Sequence, residues 1–144
     1  MAGPPRLSPR LAAIVDALPL RPGLRVLEIG CGPGGAARAV ALRIVGGHVL
    51  AIDRSAKAIA LAQATYADLI GDGRLSLRQA AIESFELEPG EAPYDLAFAI
   101  RVGALDGRHP ELEARARARI AAALTPRGRL FIDGGSPLRE VMCA

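Results

Sequence analysis

The chemistry of this chain concentrates in Arg25-Val26-Leu27-Glu28-Ile29-Gly30-Cys31-Gly32-Pro33-Gly34-Gly35 and, eighteen residues later, in Asp53. An apolar run carries Glu28 near its end, then turns through four glycines in six positions and feeds a helical pattern. Glycines let a backbone approach a ligand more closely than any side chain permits. The free N–H groups and dipole of the following helix favour a polar or anionic group in that turn. Asp53 closes a second apolar run, where a carboxylate can accept from the hydroxyls of a ribose. The pattern points to a site for a nucleoside-bearing cofactor.

Two cofactors fit these letters. Gly30-x-Gly32-x-x-Gly35 satisfies the dinucleotide fingerprint, whose third glycine allows close packing of helix on strand. Glu28 argues against that reading, because a carboxylate two residues before the first glycine would repel a pyrophosphate. It suits a cofactor with a cationic amino-acid end. The spacing Glu28-x-Gly30-x-Gly32-x-Gly34 resembles the first motif of the class I S-adenosylmethionine-dependent methyltransferases.

The resemblance extends over roughly residues 20 to 133. His48-Val49-Leu50-Ala51-Ile52-Asp53-Arg54-Ser55 is similar to that family's second strand, with its ribose-binding acid. Tyr94-Asp95-Leu96-Ala97-Phe98-Ala99-Ile100 resembles the fourth strand, and Pro126-Arg127-Gly128-Arg129-Leu130-Phe131-Ile132-Asp133 the glycine turn and fifth strand. The resemblance implies transfer of a methyl group (EC 2.1.1.-), with S-adenosyl-L-methionine as donor and S-adenosyl-L-homocysteine as product. It assigns cofactor contacts to Glu28, Gly30, Cys31, Gly32, Gly34, Asp53, Arg54, Ala81, Ile82 and Ile100. One family position departs: Ala81 stands where many members carry an acid for the adenine amino group. Backbone contacts from Ile82 survive that change, and Glu83 is the nearest replacement.

Methyl transfer from a sulfonium is an in-line displacement, so the protein mainly aligns donor and acceptor and excludes water. A ligand in such a sheet lies beyond the carboxyl ends of the strands where strand order reverses, here between the first and fourth. That puts Arg101, Asp106, Arg108 and His109 nearest the methyl. His109 is the candidate base, because an ordinary imidazole can exchange a proton near neutrality, though His109-Pro110 also reads as a plain helix start. Arg101 either steers an anionic acceptor or pairs with Asp106. The expected acceptor is a small molecule. The alternatives are an RNA or protein methyltransferase, or a non-catalytic subunit that only binds a nucleotide cofactor. The Asn/Asp-Pro-Pro-aromatic motif of nucleic-acid amino methylation is absent. Arg115, Arg117 and Arg119 could make a nucleic-acid patch, but Glu111–Arg115 and Glu113–Arg117 at i, i+4 spacing read as a solvated helix face. No nucleic-acid or membrane partner is expected. Cys31 reads as a small loop filler, since no base lies near it in sequence.

The elements that position these residues alternate strand and helix. Ser8-Pro9 is a helix-start signal, and Leu11, Ile14, Val15 and Leu18 share one face. A second helix over 35–45 turns Ala37, Val40, Ala41 and Ile44 inward. Ser55 caps a third that presents Ile59, Ala62 and Tyr66 or Leu69. Residues 74–79 alternate as an outer strand, and a last helix runs over 110–124. Right-handed crossovers then give a parallel sheet. The expected fold is α/β: a three-layer Rossmann-like sandwich on a mainly parallel five-stranded sheet of order 3-2-1-4-5. One domain spans 1–144, with an N-terminal helix (1–20), a core (21–133) and a short tail (134–144). That tail is too short for the family's usual C-terminal hairpin, so the fifth strand is expected to show an open edge. Open edges are usually covered or paired, hence the expectation of a homo-oligomer.

Composition sets the frame. At 144 residues, 51% hydrophobic but only 3% aromatic and without tryptophan, the chain has material for one aliphatic core. Seventeen arginines against one lysine give a net charge of only +3, too mild to require an anionic partner. Two distant cysteines, Cys31 and Cys143, argue against a disulfide and for a cytoplasmic setting. His48 and His109 have no spaced partners, so no metal is expected. Residues 1–10 lack the apolar core of a signal peptide, and no run approaches the roughly 20 apolar residues that span a bilayer.

Overall fold

Alternating apolar strands and amphipathic helices assemble, in a computed structural model that describes residues 6–143, into one sheet flanked by helices on both faces. The order is α1 (Pro9–Ala17), β1 (Arg25–Ile29), α2 (Gly35–Arg43), β2 (His48–Asp53), α3 (Ala56–Thr65), α4 (Ala67–Gly71) and β3 (Leu75–Gln79). A single 3-10 turn (Ile82–Ser84) precedes β4 (Tyr94–Ala99), α5 (Pro110–Ala123), β5 (Leu124–Asp133) and β6 (Leu138–Val141). The sheet runs β3-β2-β1-β4-β5-β6, with β1 to β5 parallel and β6 antiparallel to β5. This is the α/β architecture and the 3-2-1-4-5 order expected from the sequence, with a sixth strand added.

Strand periodicity divides the core. Val26, Val49, Ala51, Leu96 and Phe98 pack towards α1, α2 and α3, while Leu27, Ile29, Leu50, Ile52 and Ala97 pack towards α5 and the 3-10 turn. Successive side chains in a strand point to opposite faces. Glu28 therefore falls on the α2 face with Val26, and the register sets it opposite Ala51, two residues before Asp53. The helix starts use their expected caps. Ser8 Oγ accepts from the Leu11 N–H at 3.2 Å and Ser55 Oγ from the Ala58 N–H at 3.1 Å. Each cap contributes about 1 kcal/mol.

Three expectations change. The third helix breaks at Tyr66 into α3 and α4, and both Tyr66 and Leu69 are buried. The last helix ends at Ala123, because Leu124 already begins β5. The tail is not a bare end: Gly134 to Pro137 turn the chain back, and Leu138–Val141 pair with β5 as an antiparallel hairpin. The expected truncation at that edge is thus filled, and the open-edge argument for a homo-oligomer loses its premise. Met1–Pro5, part of the stretch judged against a signal peptide, lie outside the described residues. Among the described residues no helix is long and apolar enough to cross a membrane.

Candidate functional site

The switch point of the sheet lies where β1 separates β2 from β4, and the loops leaving these strands form two clefts that share Gly30. One cleft, of about 410 Å³, lies beside Glu28, Gly30, Cys31, Gly32 and Ile100 and is walled across the top by Leu7, Ser8 and Leu11. The other, of about 280 Å³, is lined by Asp53, Arg54, Ala81, Ile82, Arg101 and His109, among others. Both are of the size that holds small ligands. Nine of the ten residues assigned to the cofactor from sequence line one cleft or the other. The tenth, Gly34, packs elsewhere. It caps α2 with φ of 94°, and a Cβ there would stand 3.0 Å from the Tyr66 ring.

Glu28 is 2% exposed and its Oε1 has no hydrogen-bond partner. Burial, then the negative charge of Asp53, push its carboxyl up to about 8, against the lowering effect of the Ala37 N–H. The N-terminus of α2 has no side-chain cap of its own, so this N–H and the helix dipole partly stabilise the charge from above. A buried carboxyl with an open lone pair beside a cleft is ready for a cationic donor. Asp53 spans the glycine loop and the next helix. Its Oδ2 accepts from the Gly32 N–H and its Oδ1 from the Ser55 N–H, both at 2.8 Å. Each oxygen keeps a further lone pair for a hydroxyl. Gly30 has to be glycine: φ is 71°, and a Cβ would come within 2.7 Å of Val102 Cγ2. Cys31 is buried, and burial, then Glu28 and Asp53, push its thiol far above the usual range. That environment favours a small loop filler over a nucleophile.

On the other side of Gly30 the four candidates separate. Arg101 takes a left-handed φ of 57°, uncommon for any residue but glycine. Its N–H donates to Asp133 Oδ1 at 3.1 Å and its carbonyl accepts from Arg108 Nη2 at 2.6 Å. Asp106 does not pair with Arg101. It takes Arg108 in a fork, at 2.9 and 3.1 Å from Nε, and lies outside the cleft lining. The Arg108 hydrogen bonds hold its carboxyl below the usual range. His109 lines the cleft, is half-exposed, and faces Glu111 at 3.5 Å as the residue preceding α5. Both readings of His109 meet in one place, since the helix start also stands at the cleft mouth.

Asp133 and Val102 join this region through contacts between distant segments, which no local sequence pattern announces. The arginines of α5 are mostly engaged. Arg117 meets Glu113 at 3.5 Å and donates to the Met142 carbonyl, and Arg119 meets Glu86 at 2.7 Å. Glu111 turns to His109, not to Arg115. A nucleic-acid patch has little free charge left there. Among the described residues there is no cluster of three metal-ligating side chains.

Residues 26–128 match a methyltransferase domain profile. The chain is 38% identical over 134 residues to a protein-L-isoaspartate O-methyltransferase of Methylorubrum extorquens, covering 88% of this chain and 49% of that protein. It is 34% identical over 122 residues to a trans-aconitate 2-methyltransferase of Paracidovorax citrulli, covering 83% and 42%. The chain therefore spans about half the length of the relatives it matches. Among solved structures, phosphoethanolamine N-methyltransferase 2 of Haemonchus contortus, in complex with S-adenosyl-L-methionine, superposes with a TM-score of 0.68 at 26% identity, over 90% of this chain and 28% of that one.

Proposed function

The chain belongs to the class I S-adenosylmethionine-dependent methyltransferases, and from that premise we propose that it methylates a small anionic acceptor, a carboxylate, held at Arg101. The residues present fit the cofactor. The orphaned, buried Glu28 Oε1 suits its ammonium, the Asp53 carboxylate its ribose diol, and Gly30 leaves space that a Cβ would fill. The backbone beside Ala81 and Ile82 is the candidate adenine contact, since Ala81 offers no side-chain acceptor. When bound, S-adenosylmethionine supplies a methyl group on a sulfonium. Everything else falls to the chain: Glu28 and Asp53 orient the donor, α1 excludes water, and Arg101 aligns the acceptor. Alignment of this kind is worth roughly 7–11 kcal/mol without a catalytic side chain.

The observation that carries the acceptor class is Arg101, which lines the cleft and, among the described residues, has no ion-pair partner, whereas Arg108 beside it is neutralised by Asp106. A carboxylate is already ionised at neutral pH, so no base is required. His109 is then a hydrogen-bond donor at the cleft mouth, and it becomes a proton acceptor only for an acceptor that carries a proton. The trans-aconitate methyltransferase among the relatives is named for an acceptor of this class. A carboxylate on a protein is the second reading, favoured by the isoaspartate methyltransferase.

Calorimetry with S-adenosylmethionine, S-adenosylhomocysteine and NAD tests the cofactor. Micromolar binding of the first two is expected, and binding of NAD alone overturns the reading. Screening polycarboxylates for methyl-ester formation tests the acceptor. Arg101→Ala should then raise KM on the order of 10- to 100-fold for a charge-assisted contact, with a smaller effect on kcat.

A further inference from the structure

Asp133, the last residue of β5, lines neither cleft, yet its two oxygens are committed to two different parts of the site. Oδ2 accepts from Arg10 Nη2 at 2.9 Å, across 123 residues of chain. Oδ1 accepts from the Arg101 N–H at 3.1 Å. Arg10 belongs to α1, whose first turn, with Leu7, Ser8 and Leu11, walls the cleft of Glu28 and the glycine loop, although Arg10 itself does not line it. Arg101 sits in the other cleft, in a left-handed conformation that persists only where the surroundings hold it. Its carbonyl is gripped by Arg108, which leaves Asp133 as the hold on its N–H. The Asp133 carboxylate is 14% exposed and its Arg10 partner 48%, so the bridge is anchored from the Asp133 side and open to solvent on the other.

We infer that Asp133 is a positioning residue that couples the two clefts: closing α1 over the cofactor tightens, through Arg10 and the Asp133 carboxylate, the turn that presents Arg101 to the acceptor. The carboxylate is the element both sites bias, and coupling through it is reciprocal. A donor held under α1 and an acceptor held at Arg101 each favour the same arrangement of this carboxylate, so each tightens the other. This inference rests on the cofactor reading and goes beyond it, because neither Arg10 nor Asp133 is a cofactor or acceptor contact.

The test uses S-adenosylhomocysteine as probe, with Arg10→Gln, Asp133→Asn and the double variant. Asparagine keeps an oxygen for the Arg101 N–H but loses the charge that binds Arg10. Each single variant should release S-adenosylhomocysteine roughly two- to fivefold faster, and the double no faster than either, as for one shared contact. Amide exchange reads the coupling directly. Saturating S-adenosylhomocysteine should slow exchange at Arg101 in the wild type, and that slowing should be lost in Arg10→Gln. Additive release rates, or undiminished protection of Arg101 in Arg10→Gln, overturn the inference while leaving cofactor binding intact. A wild type that binds no S-adenosylhomocysteine at any tested concentration overturns the cofactor reading itself, and the coupling with it.

Discussion

Glu28 stands in its pocket at a cost, and the sign of that cost is open to measurement. Its folded carboxyl lies near 8, pushed up by burial and by Asp53, against an ordinary value near 4.5. Between those values the folded state binds the extra proton, so Glu28 makes the protein less stable as pH rises and gives the full penalty above about pH 8. Glu28→Gln should match the wild type near pH 4.5 and exceed it at pH 8 by on the order of 5 °C in Tm. The same residue predicts the opposite for cofactor binding. An ammonium favours the ionised carboxyl, so wild-type affinity for S-adenosylmethionine should rise with pH, by up to roughly tenfold per unit below pH 8. In Glu28→Gln the affinity should be weaker and flat. Equal pH slopes in both proteins by calorimetry would remove Glu28 from the cofactor site. Asp53→Ala deletes the acceptor shared by Gly32 and Ser55 as well as the proposed ribose grip, and should weaken S-adenosylmethionine binding on the order of 10- to 100-fold. Full affinity in that variant sinks the ribose assignment. These two acids were legible because the signal is local: a carboxylate at a fixed offset from glycines, and another at the end of the next apolar run. Asp133 is not legible in this way, since nothing within ten residues distinguishes it from an ordinary strand end.

The connection from β3 to β4 reads in sequence only as acidic and irregular, yet it is pinned by one residue. Glu91 accepts from Arg78 Nη1 and Nη2 at 3.2 and 3.1 Å, from the Tyr94 hydroxyl at 2.6 Å and from the Glu88 N–H at 2.8 Å. Arg25, which lies over the Tyr94 ring, also donates to the Ala92 and Pro93 carbonyls. Partial burial works to raise the Glu91 carboxyl, but the Arg78 and Tyr94 hydrogen bonds outweigh it and leave it below the usual range. A lowered folded value means stabilisation that is complete above the unfolded value, about 4.3, and is lost as pH falls through the folded one. Glu91→Ala should cost about 1–3 kcal/mol at pH 7 by urea unfolding, with the gap to wild type closing below pH 4. A gap that stays constant to pH 3 would assign the loss to packing instead. Single elements were legible where the period is clear, as for β2 and α5, and most securely where a cap agrees with it, as Ser8 does for α1. A segment whose only order is a side-chain hub has no period, so Glu83 to Pro93 gave no sign of Glu91. The break at Tyr66 was hidden for a related reason: the helical pattern continues through it, while Gly34 lets the ring pack against the loop.

At the scale of the molecule, the sheet ends decide how the chain meets its neighbours. The sequence places five strands correctly and leaves Leu138-Arg139-Glu140-Val141 unassigned, because four residues carry too short an alternation to read. Pairing with β5 makes them a strand, held by the two-pronged Arg129–Glu140 contact at 2.9 and 3.0 Å and by Arg117 on the Met142 carbonyl. The edge now shown is short and bears Arg139 and Glu140, the kind of edge that resists pairing with another chain. The physical case for association through β5 is therefore gone, and no association through this edge is expected at micromolar concentration in size exclusion with light scattering. The turn that seats β6 is the point at which to test this. A Cβ at Gly135 would run into the Leu138 carbonyl, so Gly135→Ala must shift backbone that no side-chain motion can relieve. The variant should lose about 1–3 kcal/mol and expose the Leu130 and Ile132 strand. Concentration-dependent dimers or larger species should follow in Gly135→Ala alone. If the wild type already self-associates to the same extent, β6 is not what keeps this edge closed, and another surface carries the contact.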